Sequence, residues 1–165
     1  MEPLIHPFDP SDMPAIVELS LLAWEPVFVA WQRLLGPAIY DRAIYPESPD
    51  WRAGQRDVVE KICGDPKMTT WVAVVGGKVA GFIAYSLNHE NKVGEVQLLA
   101  VHPDRRNGGI GTELNLFALQ KFREAGMTLA EVGTGGDEGH APARRCYEKA
   151  GYTGLPAVRY YQALS

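Results

Sequence analysis

The sequence has little of what a metal centre, a disulfide framework or a nucleic-acid surface requires. Its two cysteines, Cys63 and Cys146, form no CxxC pair, and its four histidines are scattered without metal-ligand spacing. The formal net charge is −4, so the chain lacks the basic excess that is typical of nucleic-acid-binding proteins. We therefore expect a reduced, cytoplasmic protein with no metal ion and no nucleic-acid partner.

No basic segment followed by an apolar run stands at the beginning of the sequence, so we expect no signal peptide there. The most apolar early stretch, LSLLAWEPVFVAW, contains Glu25 and Pro26 and is shorter than a bilayer-spanning helix. No internal repeat or low-complexity segment is visible. These features predict one domain over residues 1–165 with no membrane partner.

The N-terminal part of the chain has a helical pattern. Pro26 is expected to divide the first helical region into two pieces, the second reaching about Leu35. Residues 36–49 contain three prolines and a glycine, which predicts a loop. Residues 50–62 are predicted to form another helix.

The middle of the chain has a strand pattern. The stretch TTWVAVVGGKVAGFIAYSL predicts two strands joined by a hairpin at its glycine pair. A third strand is predicted over 93–101. Alternation places Glu95, Gln97, Leu99 and Val101 on one face of it.

The remaining elements alternate between helix and strand. An apolar stripe at helical spacing predicts a helix from Ile110, followed by a short strand over 127–132 and a helix over 142–150. Two short strands are predicted near Tyr152 and over 158–161. The whole order predicts an α+β protein with helices packed on a central sheet.

Three glycines stand where the third strand gives way to a helix, in HPDRRNGGIGTELNLFAL. Gly108, Gly109 and Gly111 follow Arg105 and Arg106. The first N–H groups of a helix have no acceptor within it, the helix dipole adds positive charge, and glycine leaves room for a bulky anion. No GK[ST] or GxGxxG follows, which excludes a Walker loop and a dinucleotide fingerprint. The pattern favours an anion site over an ordinary glycine-rich turn.

Two motifs resemble those of the GNAT acetyltransferases. VHPDRRNGGIG, residues 101–111, resembles the acyl-CoA motif of that family, [RQ]-x-x-G-x-[GA]. ARRCYEKAGY, residues 143–152, resembles its second signature, A-x-x-[FL]-Y-E-K-x-G-[FY], in the same order and at the same separation. The resemblance implies a mixed central sheet of six to seven strands, splayed between the fourth and fifth and flanked by about four to five helices.

The resemblance also implies acetyl-CoA as cosubstrate, with its pantetheine arm along the fourth strand and its diphosphate at the start of the following helix. The implied cofactor-binding residues are Leu99, Ala100, Val101, Arg106, Asn107, Gly108, Gly109, Ile110, Gly111, Thr112 and His140. His140 stands where the family often has an asparagine, so it either hydrogen-bonds the cofactor or is a solvated loop histidine. Candidates for the 3′-phosphate, or solvated charges, are Arg105, Arg144 and Arg145.

The implied reaction is direct attack of an amine on the thioester. Tyr147, in the YEK context, is the candidate acid for the leaving sulfur, although it also falls on an apolar stripe and fits a core aromatic. Glu95 is the candidate base, because it precedes Arg106 by eleven residues, as the catalytic glutamate does in the histone-acetylating branch of the family. A surface charge near the start of the strand is the alternative.

The acceptor is expected to be an amine, and small amines, amino acids, antibiotics and peptide N-termini all remain open. Trp24, Phe28 and Trp31 recur at helical spacing, which favours core packing. The loop aromatics Tyr40, Tyr45 and Trp51 are better candidates for an acceptor pocket.

Other functions and an oligomeric form also fit the sequence. A non-catalytic acyl-CoA-binding sensor or interaction module, or a phosphate-binding domain for another nucleotide, would also contain such a turn. The presence of both Glu95 and Tyr147 argues against the non-catalytic module. Dimers are common in the family that the chain resembles, and the aromatic N-terminal helices would supply an interface for a homodimer.

Overall fold

The computed structural model describes residues 1–47 and 50–165. The helices are α1 (Met13–Leu35), α2 (Pro37–Ala43), α3 (Trp51–Gly64), α4 (Ile110–Glu124) and α5 (Ala141–Lys149). The strands are β1 (Leu4–Pro7), β2 (Met68–Val75), β3 (Lys78–Asn88), β4 (Val93–Val101) and β5 (Leu129–Val132). Short 3₁₀ turns span Pro10–Asp12, Pro103–Arg105 and Glu138–His140.

The sheet is mixed and its spatial order follows the chain, β1-β2-β3-β4-β5. The first four strands pair antiparallel, and β5 pairs parallel to β4. The predicted hairpin between β2 and β3 is confirmed, with Gly76 and Gly77 both at positive φ, as a tight two-residue turn requires. The edge strand β1 was not predicted, because four residues are too few to show an alternating pattern.

Helices cover both faces of the sheet, which confirms the predicted α+β class. The core on the α4 side includes Ile83, Tyr85, Val96, Leu114 and Phe122. The core on the side of α1 and α3 includes Ile16, Val17, Val59, Phe82 and Leu98. Each strand of the inner sheet contributes to both layers because successive side chains point to opposite faces.

A bulge in β4 changes which of its side chains lie on the same face of the sheet, so the predicted assignment of faces is wrong. Tyr85 of β3 pairs with Val96, but the preceding residue, Ala84, pairs with Leu98, so Gln97 is an extra residue. Val96 therefore packs on the α4 side, whereas Leu98 packs towards α1 and α3.

The faces of the other β4 residues follow from this shift. Glu95 alternates with Val96 and lies on the side of α1 and α3. Leu99 and Val101 pack on the α4 side, so the prediction that they share a face with Glu95 is wrong.

Two predictions about the N-terminal helices are also wrong. Pro26 does not divide α1, which runs without a break from Met13 to Leu35. Burial of Val27 and Phe28 directly after the proline holds the chain helical, although the proline removes one hydrogen bond.

The predicted loop over 36–49 contains α2. Pro37 occupies the first position of that helix, where the fixed φ of proline favours helix initiation. The last two residues of the predicted loop, Ser48 and Pro49, lie outside the described residues.

The C-terminal strands predicted near Tyr152 and over 158–161 are absent. Residues 152–165 contain no helix or strand, and the described part of the chain forms five strands rather than six to seven. Strand propensity alone does not make a strand, because the backbone needs a partner edge. The predicted count of about four to five helices is confirmed by the five helices of the described residues.

Within the described residues, one helical segment, Pro10–Leu35, is long and apolar enough to cross a bilayer by length and composition. The apolar run LSLLAWEPVFVAW is shorter than this segment, because the helix extends beyond the run at both ends, from Met13 to Leu35. This segment packs in the core through seven buried residues, namely Ile16, Val17, Leu19, Ser20, Val27, Phe28 and Ala30. Its apolar character is thus explained by packing against the sheet.

Candidate active site

The N-terminus of α4 is open. Gly109 is its N-cap residue, with a left-handed φ of 84° and no side-chain cap. The N–H of Glu113 donates to the Gly109 carbonyl at 2.9 Å, which is the first bond of the helix. The N–H groups of Ile110, Gly111 and Thr112 therefore have no acceptor within the helix. Together with the dipole, they form a site for an anion.

The glycines of this turn serve different purposes. Gly109 supplies the left-handed conformation that other residues adopt only with strain. A Cβ at Gly111 would lie 2.9 Å from Cys146 Sγ, so this glycine admits α5 against α4. A Cβ at Gly108 would make only one ordinary contact, with the Arg105 carbonyl at 3.4 Å. The prediction that all three glycines clear space for an anion is therefore too broad.

The basic residues near the turn divide into those that are available and those that are used internally. Arg106 donates to the Ala23 carbonyl at 3.1 Å and so ties the turn to α1. Arg144 donates to the carbonyls of Gly135 and Asp137 at 2.6 and 2.7 Å, which assigns it to the loop before α5. Arg145 is exposed.

A cavity of about 310 Å³ lies beside the same turn. It is lined by Lys78, Val79, His102, Asp104 and Arg105. Three of these five residues carry basic side chains. Of the three arginines considered for the 3′-phosphate, only Arg105 lines this cavity.

Within the described residues, the edge of β4 that faces β5 is unpaired along its second half. β5 pairs with β4 only from Val93 to Val96, whereas β3 pairs along nearly the whole strand. Alternate backbone groups of residues 97–101 therefore point into a gap where β5 has ended. The gap leads from the last pair, Val96–Val132, towards the N-terminus of α4.

Tyr147 is the buried residue of α5 and is 9% exposed. Its ring meets Tyr152 edge-to-face, with the centroids 5.8 Å apart. Burial, with smaller contributions from Cys146 and Tyr152, raises the pKa of the Tyr147 phenol well above its usual range. The side chain therefore stays protonated at neutral pH.

Glu95 is exposed and lies one residue before the last β4–β5 pair. Across the sheet it is level with Ser86 of β3 and Glu131 of β5. Gln97 donates to Ser86 Oγ at 3.2 Å on the same side of the sheet. No hydrogen bond joins Glu95 to Tyr147 or His140 in the described part of the chain.

His140 is not a solvated loop histidine. Its Nδ1 lies 2.7 Å from Asp137 Oδ1, and the two side chains are 15% and 10% exposed. The indole N–H of Trp31 donates to the same Oδ1 at 3.1 Å. Burial alone would raise the pKa of Asp137, but the hydrogen bonds and charge of His140 and the Trp31 donor hold it below its usual value.

Sequence reasoning did not connect Asp137 and Trp31 with His140. The D-x-x-H spacing of Asp137 and His140 was a usable signal, because an aspartate three residues before a histidine can cap a turn and meet its side chain. Trp31 lies 106 residues away in sequence and gave no such signal.

The aromatic residues proposed for an acceptor pocket are mostly core. Phe28 and Trp51 stack with their centroids 4.4 Å apart, and Tyr40 and Trp51 are each 7% exposed. Of the three loop aromatics, only Tyr45 is half-exposed, and its hydroxyl donates to Gln55 at 3.4 Å. Tyr40 and Trp51 therefore belong to the packing of α1 to α3.

The sequence matches the model of the acetyltransferase (GNAT) family over residues 23–152. This range contains the open N-terminus of α4, the gap beside β4, and Tyr147. The chain belongs to the GNAT acetyltransferase family.

Two curated proteins illustrate the relatives of the chain. An aminoalkylphosphonate N-acetyltransferase of Salmonella typhimurium is 35% identical over 92 residues, covering 53% of this chain and 58% of that protein. A mycothiol acetyltransferase of Thermomonospora curvata is 30% identical over 139 residues, covering 81% of this chain and 43% of that protein. The chain thus spans about half the length of these relatives.

Solved structures show the same fold. A protein from Desulfovibrio desulfuricans assigned to the GNAT family aligns with a TM-score of 0.68 and 18% identity, covering 93% of this chain and 87% of that one. AAC(6')-Iy in complex with the bisubstrate analogue CoA-S-monomethyl-acetylneamine aligns over the full length of both chains, with a TM-score of 0.59 and 14% identity.

Proposed function

We propose that this chain is an N-acetyltransferase that moves the acetyl group of acetyl-CoA to a primary amine of a small molecule or peptide by direct attack. One observation carries the proposal: the uncapped N-terminus of α4 lies beside the edge of β4 that β5 leaves unpaired. The first feature suits a diphosphate and the second an amide-containing arm, and acetyl-CoA contains both. Residues 1–165 would act as one such domain, in the cytoplasm.

The residues proposed to bind acetyl-CoA follow these two features. The N–H groups from Asn107 to Thr112 would hold the diphosphate, with Arg106 bracing the turn against α1. The free edge over Leu99, Ala100 and Val101 would pair with the pantetheine amides as an added strand does. Arg105, in the cavity with Lys78, would meet the 3′-phosphate.

Tyr147 is proposed to donate to the sulfur as the thioester breaks. Its raised pKa keeps the donor proton in place but makes complete proton transfer unfavourable, so the phenol acts by hydrogen bonding to the developing negative charge. Tyr147→Phe should lower kcat by roughly 10²- to 10⁴-fold. The dissociation constant of CoA, measured by calorimetry, should not change. Wild-type turnover in this variant would remove Tyr147 from the mechanism.

Glu95 is proposed to take a proton from the ammonium form of the acceptor, directly or through water. Its support is its position, exposed at the last paired segment of β4 and level with a second carboxylate, Glu131, that would also attract a cation. Glu95→Gln should weaken the dependence of kcat/KM on pH at the acidic side. An unchanged acidic limb would count against this role.

The acceptor is proposed to be a small molecule. The curated relatives are named for an aminoalkylphosphonate and for mycothiol, and these names favour small amines over peptides. The test is release of CoA thiol from acetyl-CoA across a panel of aminoalkylphosphonates, amino sugars, amino acids and short peptides. Release with a small amine and none with peptides is the expected result.

The alternative is a domain that binds acyl-CoA without transferring the acetyl group. Thermal unfolding in the presence of CoA separates the two functions when it is run beside the amine panel. A shift in Tm without thiol release for any amine would favour the binding module. A shift with ATP but not with CoA would favour a site for another nucleotide.

A homodimer is also proposed, supported by the C-terminal segment. Leu155, Val158, Tyr160 and Leu164 are each at least 76% exposed, which is unusual for large apolar side chains. A second copy would cover them. Light scattering of the full chain should give twice the chain mass, 18.2 kDa, and a truncation after residue 153 should give a monomer.

A further inference from the structure

Asp137, His140 and Trp31 form one hydrogen-bonded unit at the loop before α5. Asp137 Oδ1 lies 2.7 Å from His140 Nδ1 and 3.1 Å from Trp31 Nε1, and its Oδ2 accepts from the backbone N–H of His140 at 3.3 Å. The carboxylate is thus held on both oxygens. A side chain held in this way orients whatever is bonded to it.

The carboxylate of Asp137 determines which nitrogen of His140 carries the proton. An ionised carboxylate only accepts hydrogen bonds, so Nδ1 must be the donor in the contact with Asp137. In the neutral ring, Nε2 then keeps its lone pair. The low pKa of Asp137 supports the ionised form at neutral pH.

The other charged groups around this unit do not compete for the imidazole. Arg144 of α5 is bonded to the carbonyls of Gly135 and Asp137. Glu138 pairs with Arg33 at the end of α1, 3.4 Å apart, and both are largely exposed. In the described part of the chain, Asp137 is the carboxylate that forms an ion pair with His140.

Two neighbours cover parts of the His140 ring. Trp31 lies against one face of the ring, with the centroids 5.6 Å apart. Gly135 covers the edge formed by Nδ1 and Cε1, because a Cβ at Gly135 would collide with both atoms. Nε2 is not among the ring atoms that Gly135 approaches most closely, and 15% of the side chain is exposed.

One face of α1 connects this unit with the turn before α4. Ala23, Val27 and Trp31 recur at intervals of four residues and so share a face. Ala23 accepts from Arg106, and a Cβ at Gly139 would lie 2.7 Å from Val27 Cα. Along the helix axis, Val27 lies about 6 Å and Trp31 about 12 Å from Ala23. The unit of Asp137, His140 and Trp31 therefore lies one to two turns of α1 away from the contact of Ala23 with the turn before α4.

The reaction of the proposed function removes two protons from the acceptor nitrogen. An ammonium carries three N–H bonds and a secondary amide carries one, so two protons must leave. Glu95 accounts for the first. The geometry points to His140 Nε2 as the acceptor of the second proton, with Asp137 as the positioning residue that fixes the ring and its tautomer. This inference rests on the proposed function.

Every proton and bond of the acetyl transfer is accounted for by Glu95, His140, Tyr147 and water. Glu95 takes one proton from the ammonium, the nitrogen lone pair forms the N–C bond, and His140 takes the second proton from that nitrogen. The C–S bond breaks as Tyr147 hydrogen-bonds to the sulfur, the imidazolium proton neutralises the released thiolate, and Glu95 returns its proton to water. One ammonium and one thioester thus give one amide, one thiol and one free proton.

The tautomer is tested directly on the wild-type protein. Two-bond ¹H–¹⁵N spectra of the ¹⁵N-labelled chain at pH 8 should show His140 with a protonated Nδ1 and a bare Nε2. In Asp137→Asn the amide can donate to Nδ1, so the population should shift towards the Nε2-protonated form. A wild-type ring protonated on Nε2 would overturn the inference without reference to activity.

The role in turnover is tested with His140→Gln and a matched control, His89→Gln, at an exposed histidine in the β3–β4 turn. With an amine accepted in the panel, His140→Gln should lower kcat about 10²- to 10⁴-fold. His89→Gln should leave kcat unchanged. Asp137→Asn should lower kcat more than it changes KM for acetyl-CoA, because it leaves the cofactor site intact.

The outcomes separate this inference from the proposed function. Wild-type thiol release combined with unchanged kcat and pH profile in His140→Gln would overturn the role of His140 and leave the acetyltransferase assignment standing. No thiol release by the wild-type chain with any amine would remove both. Calorimetry with CoA shows that each variant is folded, and His140→Asn serves as a second variant if His140→Gln does not bind CoA.

Discussion

The turn before α4 and the turn before α5 are both starts of helical segments, yet they differ in what occupies them. At α4, Gly109 has no side chain and three N–H groups are left without acceptors in the helix. Before α5, the carboxylate of Asp137 already accepts from the N–H of His140. A helix start is therefore available to an anionic ligand only where the chain does not provide its own anion.

The largest expected effect comes from closing the open turn. Gly109→Asp would place a carboxylate at the N-cap of α4, as Asp137 is placed before α5. CoA affinity should fall on the order of 30- to 100-fold, because the diphosphate loses the helix terminus and meets a like charge. Gly109→Asn is the matched control, since it tolerates a similar backbone without the charge. Equal CoA dissociation constants for the two variants by calorimetry would contradict the account.

A second variant concerns the contact between the two helices. Gly111→Ala would push a methyl group against Cys146 Sγ, since the ideal Cβ lies 2.9 Å from it. The free energy of unfolding in urea should fall by about 1–3 kcal/mol. Cys146→Ala in the same chain removes the sulfur and should restore much of the loss. Stability unaffected by Gly111→Ala would mean that this glycine serves only the anion.

The turn before α5 makes a contribution to the free energy of unfolding that depends on pH. The folded-state pKa of Asp137 lies below its ordinary value of 3.8, so its stabilisation is complete above that value and is lost as the pH falls through the folded pKa. Asp137→Asn should lower the free energy of unfolding at pH 7 by about 1–3 kcal/mol. The difference from wild type should shrink towards pH 3. A constant difference from pH 7 to pH 3 would show that Asp137 is not stabilised as a carboxylate.

The smallest expected effect is on CoA affinity and concerns Glu113, near the turn before α4. Glu113 lies in the first turn of α4, with its Oε1 3.9 Å from the position of a Cβ at Gly109. Its charge opposes that of an incoming diphosphate, so Glu113→Gln should tighten CoA binding about two- to fivefold at low salt. The gain should vanish at high ionic strength, where the charges are screened. Weaker CoA binding at low salt would contradict this view.

The difference between the two turns also explains what could be predicted from the sequence. The turn before α4 was predictable because its residues are contiguous and its glycines and arginines have a fixed spacing. The Asp137 unit was not, because it depends on Trp31, which meets it across 106 residues. The faces of β4 were misassigned for a similar reason, since the bulge at Gln97 is visible only in the pairing with β3.

The helices and strands also divide into those that local sequence patterns predict and those that they do not. Local signals identified the β2–β3 hairpin, β4, α3, α4 and α5 close to their observed bounds. Strands at the C-terminus require a partner edge that sequence patterns cannot specify, and α2 was hidden because Pro37 resembles a loop residue as much as a helix start.

The most direct test of the central claim is a CoA titration of the ¹⁵N-labelled chain followed by its amide resonances. The account predicts that the amide protons of Ile110, Gly111 and Thr112 move downfield as they gain an acceptor. The amide of His140, which already donates to Asp137, should move far less. Saturation with CoA that leaves the three α4 resonances in place would contradict the claim that this helix start holds the diphosphate.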